Sequence, residues 1–156
     1  MKVARVTISD RACAGIYEDK GGPEVERVFL DAWGGRCEVI ARIISDDREG
    51  ISRTLCELAD EEHSQLILTT GGTGPAPRDV TPEATRDVLE KELPGFGEAQ
   101  RMTSFATVPT AILSRATAGV RGRTLVVNLP GNPKAIAECL PSLIPAIREA
   151  LRHLSE

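Results

Sequence analysis

Aromatic residues are scarce: one Trp, one Tyr and three Phe make up 3% of the 156 residues. That is too few for a platform on which single-stranded nucleic acid stacks its bases. Positive charge is short as well. Lysine and arginine total 19 against 23 acids, a formal net charge of -4, so no basic face is available to grip a polyanion and nucleic acid is excluded as a partner. No apolar run approaches the roughly 20 residues that cross a bilayer, and the opening Met1-Lys2-Val3-Ala4-Arg5 lacks the apolar core of a signal peptide. The expectation is a soluble cytoplasmic protein with no membrane partner. The four cysteines, at 13, 37, 56 and 139, form no Cys-x-x-Cys pair and lie away from the two histidines, 63 and 153. They read as small apolar fillers, not as zinc ligands.

What is present is ordinary globular material, 41% hydrophobic and 27% charged, in a length that fits one domain over residues 1–156. No repeat, low-complexity tract or linker divides it. Residues 3–9 form a β-rich run. Pro23 can open a helix, since its missing N–H is an orphan at that position anyway, and Val25, Val28, Phe29, Ala32 and Trp33 continue at helical spacing up to Gly34-Gly35. Cys37, Val39, Ala41 and Ile43 alternate as a strand with one buried face. Ser45-Asp46-Asp47 offers cap chemistry before a stripe of Ile51, Leu55, Leu58 and Ala59, and residues 65–70 read as a strand covered on both faces. This β-α-β-α-β order predicts a parallel sheet with helices on both sides. Further on, Thr81-Pro82-Glu83 is read as cap, first helical residue and first-turn acid of a helix reaching Leu93-Pro94. A shorter helix covers 97–105. Residues 117–120 and 124–128 flank a turn at Arg121-Gly122, and Pro141 and Pro145 divide the last stretch into two helices. The expected fold is a three-layer α/β/α sandwich with a mostly parallel central sheet and a small antiparallel hairpin.

Ligands of open α/β sheets bind outside the carboxyl ends of the strands. Four polar loops occupy such positions: Ser9-Asp10-Arg11, Ser45-Asp46-Asp47, Gly71 through Asp79, and Asn128 through Lys134. Gly71-Gly72-Thr73-Gly74 follows a buried strand, where glycines let backbone N–H groups approach a phosphate. It is not a P-loop, because no Gly-Lys-Ser/Thr follows, nor a dinucleotide fingerprint, because Pro77 stands where the third glycine belongs. Asp46 and Asp79 each close a strand-to-helix connection, where a carboxylate either holds Mg²⁺ or caps and braces. Asp10 is a turn residue or a partner for Arg11. Arg78, Arg101, Arg115 and Lys134 are candidate partners for phosphate oxygens. Chemistry on such residues rests on carboxylates, cations and backbone dipoles, which suits phosphoryl or nucleotidyl transfer.

Six stretches in this order resemble the molybdopterin adenylyltransferase family of molybdenum-cofactor biosynthesis: Ser9-Asp10-Arg11-Ala12, Thr69 to Pro75, Arg78 to Thr85, Pro94 to Glu98, Ala111 to Arg115, and Asn128 to Ala135. The resemblance implies a homotrimer that binds Mg²⁺, ATP and molybdopterin, adenylylates the pterin with release of pyrophosphate, and passes the product to a molybdate-insertion protein. It implies that Asp46 and Asp79 are the catalytic, metal-binding carboxylates. It also implies substrate or ATP contacts by Ser9, Asp10, Arg11, Gly71, Gly72, Thr73, Gly74, Arg78, Thr81, Glu98, Ser114, Arg115, Asn128, Pro130, Gly131 and Lys134. Two details depart from the family pattern. Ser45 precedes Asp46 where proline is common, and the chain stops soon after its last helix. A non-catalytic molybdopterin-binding or scaffold protein of the same fold is the alternative.

Overall fold

The computed structural model describes residues 1–156. Strands β1 (Lys2–Ile8), β2 (Glu38–Ile44), β3 (Leu66–Thr70), β4 (Lys91–Glu92), β5 (Ala118–Arg121) and β6 (Thr124–Leu129) form one sheet in the order β2-β1-β3-β6-β5-β4. The pairs β1–β2, β1–β3 and β3–β6 are parallel, whereas β5 runs antiparallel to both β6 and β4. The hairpin between β5 and β6 turns at Gly122, whose φ of 56° suits glycine.

The helices are α1 (Asp10–Cys13), α2 (Gly21–Trp33), α3 (Arg48–Cys56), α4 (Thr81–Arg86), α5 (Gly95–Phe105) and α6 (Pro133–Ser155). A π turn over Glu57–Glu61 extends α3, and a 3₁₀ turn covers Pro109–Leu113. Alternate strand residues feed two cores. Val3, Leu66, Leu68, Leu125, Val127 and Leu129 meet Val25, Val28, Phe29, Phe96, Ile136 and Leu140 on one face. On the other, Ala4, Val6, Ile8, Ile67 and Val126 meet Ile51, Leu55, Leu58, Ala84 and Val88. Each fully buried large side chain contributes about 1.5–3 kcal/mol, so helices on both faces are the stable solution for strands this apolar.

Several expectations are corrected. Residues 133–155 form one helix, not two. Pro141 and Pro145 are four apart on its exposed side, and the apolar stripe from Ile136 through Leu140 and Ile144 to Ile147 runs on unbroken. The helix begun at Thr81 ends at Arg86, because Lys91–Glu92 pairs with β5 as an edge strand. Helix α2 starts at Gly21, two residues before Pro23. In β2 the inward set is Ile40 and Ile44, whereas Ala41 and Ile43 are exposed. That edge strand is apolar at both phases, so alternation alone does not fix which face α3 covers. Cys139 is a buried filler, but Cys13 is exposed.

Candidate active site

The chain leaves β1 on one side and returns to β3 on the other, so the β1/β3 boundary is the switch point at which the crevice of an open sheet forms. The four polar loops do converge on this carboxyl edge. The Ser9 amide donates to Ile44 O at 2.9 Å, the Gly71 amide to Leu129 O at 3.4 Å, and Thr70 Oγ1 to Pro130 O at 2.7 Å. Gly71 (φ 98°) lies so close to β1 that a Cβ there would stand 2.4 Å from Ile8 O.

The cap of α3 is Asp47, not Asp46: the Asp47 carboxylate accepts from the Gly50 amide at 2.8 Å. Asp46 is thereby free of capping duty. Its Oδ2 accepts from the Asp10 amide at 3.0 Å, the Asp46 amide donates back to Asp10 Oδ1 at 3.0 Å, and its Oδ1 faces Gly72. Burial pushes the Asp46 carboxyl up, against the pull of the Asp10 amide, with the Asp10 and Asp79 charges adding to the rise. Asp10 pairs with Arg78 and not Arg11, through a two-point contact at 3.0 and 2.9 Å. The amide of Asp46 first, and Arg78 second, hold the Asp10 carboxyl below its usual range.

The expected cap role of Thr81 is also corrected. Val80 occupies the cap position, and Thr81 is the first helical residue, fully buried, with its hydroxyl unpartnered. A Cβ on Gly72 (φ 67°) would stand 2.3 Å from Thr81 Oγ1 and 3.1 Å from Asp46 Oδ1. The bare Gly72 backbone therefore lies against two oxygens, in a slot too narrow for a side chain. Asp79 Oδ2 accepts from the Ala76 amide at 3.2 Å and bends the loop onto Gly74.

The cations divide into two sets. Arg115 donates to Gly74 O, to Asp79 O and to both oxygens of Glu83, and Arg101 donates to Ser114 O and Ala116 O. With Arg78 on Asp10, these three arginines brace the loops. Arg11, Lys20 and Lys134 make no side-chain hydrogen bond or ion pair within the chain; Lys20 and Lys134 line the clefts described next. Asn128 stands behind the site: fully buried, it donates to Thr69 and Thr85 hydroxyls and accepts from the Thr117 amide. Thr73 is buried too, and its carbonyl accepts from the Arg115 amide. Glu98 is exposed on the first turn of α5, outside both clefts described next.

One cleft of about 450 Å³ is lined by Ser9, Tyr17, Lys20, Gly21, Gly71 and Gly131 among others. A second, about 220 Å³, lies across Pro130 and includes Arg101, Ser114 and Lys134. Tyr17, Lys20 and Gly21 are absent from the sequence-based candidates. The run Lys20-Gly21-Gly22-Pro23 before a helical stripe is a signal that could have found Lys20 and Gly21.

Carboxylates, glycine loop and polar loops thus meet at the switch point of an α/β protein. The chain belongs to the family described as "Probable molybdopterin binding domain", which it matches over residues 4–149. It is 51% identical over 142 residues to the molybdopterin adenylyltransferase of Helicobacter pylori (strain ATCC 700392 / 26695), covering 91% of this chain and 81% of the relative. To the enzyme of that name from Escherichia coli (strain K12) it is 48% identical over 153 residues, or 98% and 78% of the two chains. A solved MogA structure superposes with a TM-score of 0.91 at 35% identity over 99% of both chains. MoaB from Thermus thermophilus does so at 0.89 and 43%, over 98% and 95%.

Proposed function

We propose that this protein is a molybdopterin adenylyltransferase, joining AMP from ATP to the terminal phosphate of molybdopterin with release of pyrophosphate. The observation that carries the reading is Asp46, relieved of capping by Asp47 and presenting a free oxygen beside the Gly72 slot, in a chain about half identical to enzymes of that name. Two clefts flanking Pro130-Gly131 suit a reaction of two substrates. The non-catalytic alternative is not favoured, because the relatives about half identical to this chain carry the enzyme's name.

A phosphate oxygen of molybdopterin attacks the α-phosphorus of ATP, the bond to the β-phosphate oxygen breaks, and pyrophosphate leaves with that electron pair. Gly71 to Gly74 let the phosphates approach the backbone, and Arg11, Lys20 and Lys134 oppose their charge. Arg115 and Glu83 hold the loop so that this geometry exists before substrates arrive. Mg²⁺ fits the chemistry of these residues: Asp46 Oδ1 and the unpartnered Thr81 hydroxyl both face the bare Gly72 backbone, with Asp79 near enough to act on Asp46 electrostatically. Mg²⁺ is commonly held by one or two carboxylates and completed by substrate phosphates. Asp46 and Asp79 would hold it, and when bound it supplies charge neutralisation on the phosphate oxygens.

The protein acts as a homotrimer, in the cytoplasm where ATP is available, and hands its product to a molybdate-insertion protein. An exposed apolar strip of Met102 and Phe105 on α5, Val108 in the connection, and Ile112 and Leu113 on the 3₁₀ turn supports self-association. No helix is long and apolar enough to cross a membrane. Mass spectrometry of molybdopterin incubated with ATP and Mg²⁺ tests the reading: gain of one adenylyl group is expected, and unmodified pterin in the presence of demonstrable binding of both substrates overturns it.

A further inference from the structure

We infer that Tyr17 is a stacking residue for the planar heterocycle of one substrate, adenine or pterin, and so sets specificity in the larger cleft. The inference rests on the adenylyltransferase reading and goes beyond it, since no residue has yet been given the task of recognising a ring. Tyr17 is the only tyrosine in the chain. The residue remains 50% exposed on the wall of the cleft, yet its hydroxyl is tied to Ser9 Oγ at 2.9 Å. Ser9 is itself fixed, because the same oxygen caps α1 by accepting from the Ala12 amide at 3.2 Å.

The loop that carries Tyr17 is anchored on its other side too. Asp19 accepts from Thr7 Oγ1 at 2.8 Å and from the Gly22 amide at 3.0 Å. A half-exposed aromatic ring held at both flanks loses conformational freedom without the compensation of burial. A ligand ring laid against it supplies that burial. The two ends of the cleft differ in chemistry accordingly. At one end stand the unpaired Lys20, the start of the 13-residue helix α2 at Gly21, and the bare backbone of Gly71 and Gly131. A Cβ on Gly21 would meet Thr70 Oγ1 at 3.1 Å and Gly131 O at 3.3 Å, so the loops close tightly there and leave backbone as the surface. That end suits phosphate, and Tyr17 suits the ring.

Calorimetric titration of the wild-type chain, Tyr17→Phe and Tyr17→Leu with ATP, molybdopterin and inorganic tripolyphosphate tests the assignment. Tyr17→Phe keeps the ring and is expected to bind within about threefold of wild type. Tyr17→Leu is expected to lose about tenfold or more for one of the two ring-bearing substrates, as loss of base–aromatic stacking does, with tripolyphosphate binding unchanged. A loss confined to ATP assigns adenine to Tyr17, and one confined to molybdopterin assigns the pterin. Unaltered affinity of Tyr17→Leu for both substrates overturns the inference, as does an equal loss for all three ligands, which marks damage to the loop. A selective loss in Tyr17→Leu, together with a wild-type chain that binds both substrates but transfers no adenylyl group, contradicts the enzymatic reading and leaves the stacking role standing.

Discussion

Asp10 and Asp46 hold each other through their backbones: each amide donates to the other's carboxylate at 3.0 Å. The exchange locks the loop after β1 to the loop after β2 and leaves Asp46 Oδ1 directed at Gly72. Two acids side by side are electrostatically unfavourable. Arg78 on Asp10 offsets part of the repulsion, and the two amide bonds offset more.

Asp46 and Asp47, adjacent in sequence, are expected to separate cleanly on substitution. Asp47→Ala removes a cap and lowers stability by about 1 kcal/mol with adenylyl transfer unchanged. Asp46→Asn is expected to leave stability unchanged or slightly raised, because burial disfavours the charge it removes, and to lower transfer by about two to three powers of ten. Thermal unfolding and initial rates on both variants measure this. A destabilised Asp46→Asn with wild-type turnover would return Asp46 to a purely structural role.

Asp79→Asn is expected to fold and to lose turnover while retaining pterin binding. Combined with Asp46→Asn it should be little worse than the worse single variant, since groups serving one ion or one phosphate are not additive. Rates across a Mg²⁺ titration distinguish this from independent roles, which would multiply.

The two glycines differ in what opposes a methyl group. In Gly72→Ala the Cβ meets a hydroxyl, so Gly72→Ala with Thr81→Ala relieves the overlap and leaves the left-handed backbone, a penalty of about 1–2 kcal/mol. In Gly71→Ala the Cβ meets the Ile8 carbonyl oxygen, which no side-chain change relieves. Denaturant unfolding should therefore find Gly71→Ala the more destabilised, and the Thr81→Ala partner should improve only Gly72→Ala.

Acid should loosen the glycine loop through Glu83. The Arg115 guanidinium holds the Glu83 carboxyl below its ordinary value, so this pair's contribution is complete above the unfolded value of about 4.3 and is lost as pH falls through the lower folded one. Both side chains are partly exposed, which limits the contribution to about 1 kcal/mol or less. Unfolding free energies between pH 6 and about 3 should fall less steeply in Glu83→Gln than in wild type.

The layered fold was legible because β1, β3 and β6 carry near-continuous apolar runs and the glycine loop follows one of them. Other features depended on contacts that sequence does not display. Neighbouring acids Asp46 and Asp47 are equally good caps by residue type, and only the turn into α3 decides between them. Pro141 and Pro145 read as breaks until the helix is seen to turn both to solvent. Arg78 and Arg115 read as phosphate ligands, yet Asp10 and Glu83, distant in sequence, already occupy them. Tyr17 carried no motif at all. Its position follows from its own bond to Ser9 and from the bonds of nearby Asp19 to Thr7 and Gly22, which form only when β1 and α2 are in place.

The exposed strip on α5 should make assembly sensitive to charge. Met102→Asp with Ile112→Asp is expected to convert a trimer to a monomer in light scattering, with the fold retained by circular dichroism. A wild-type chain that stays monomeric at every concentration contradicts the trimer.

The most direct measurement follows the label from ATP carrying radioactive phosphorus at the α position, incubated with the protein, molybdopterin and Mg²⁺, in parallel with ATP labelled at the γ position. Label on the pterin from the α position only, with γ label recovered as pyrophosphate, is the expected result. Pterin labelled from the γ position, or from neither while both substrates bind, would contradict adenylyl transfer by this chain.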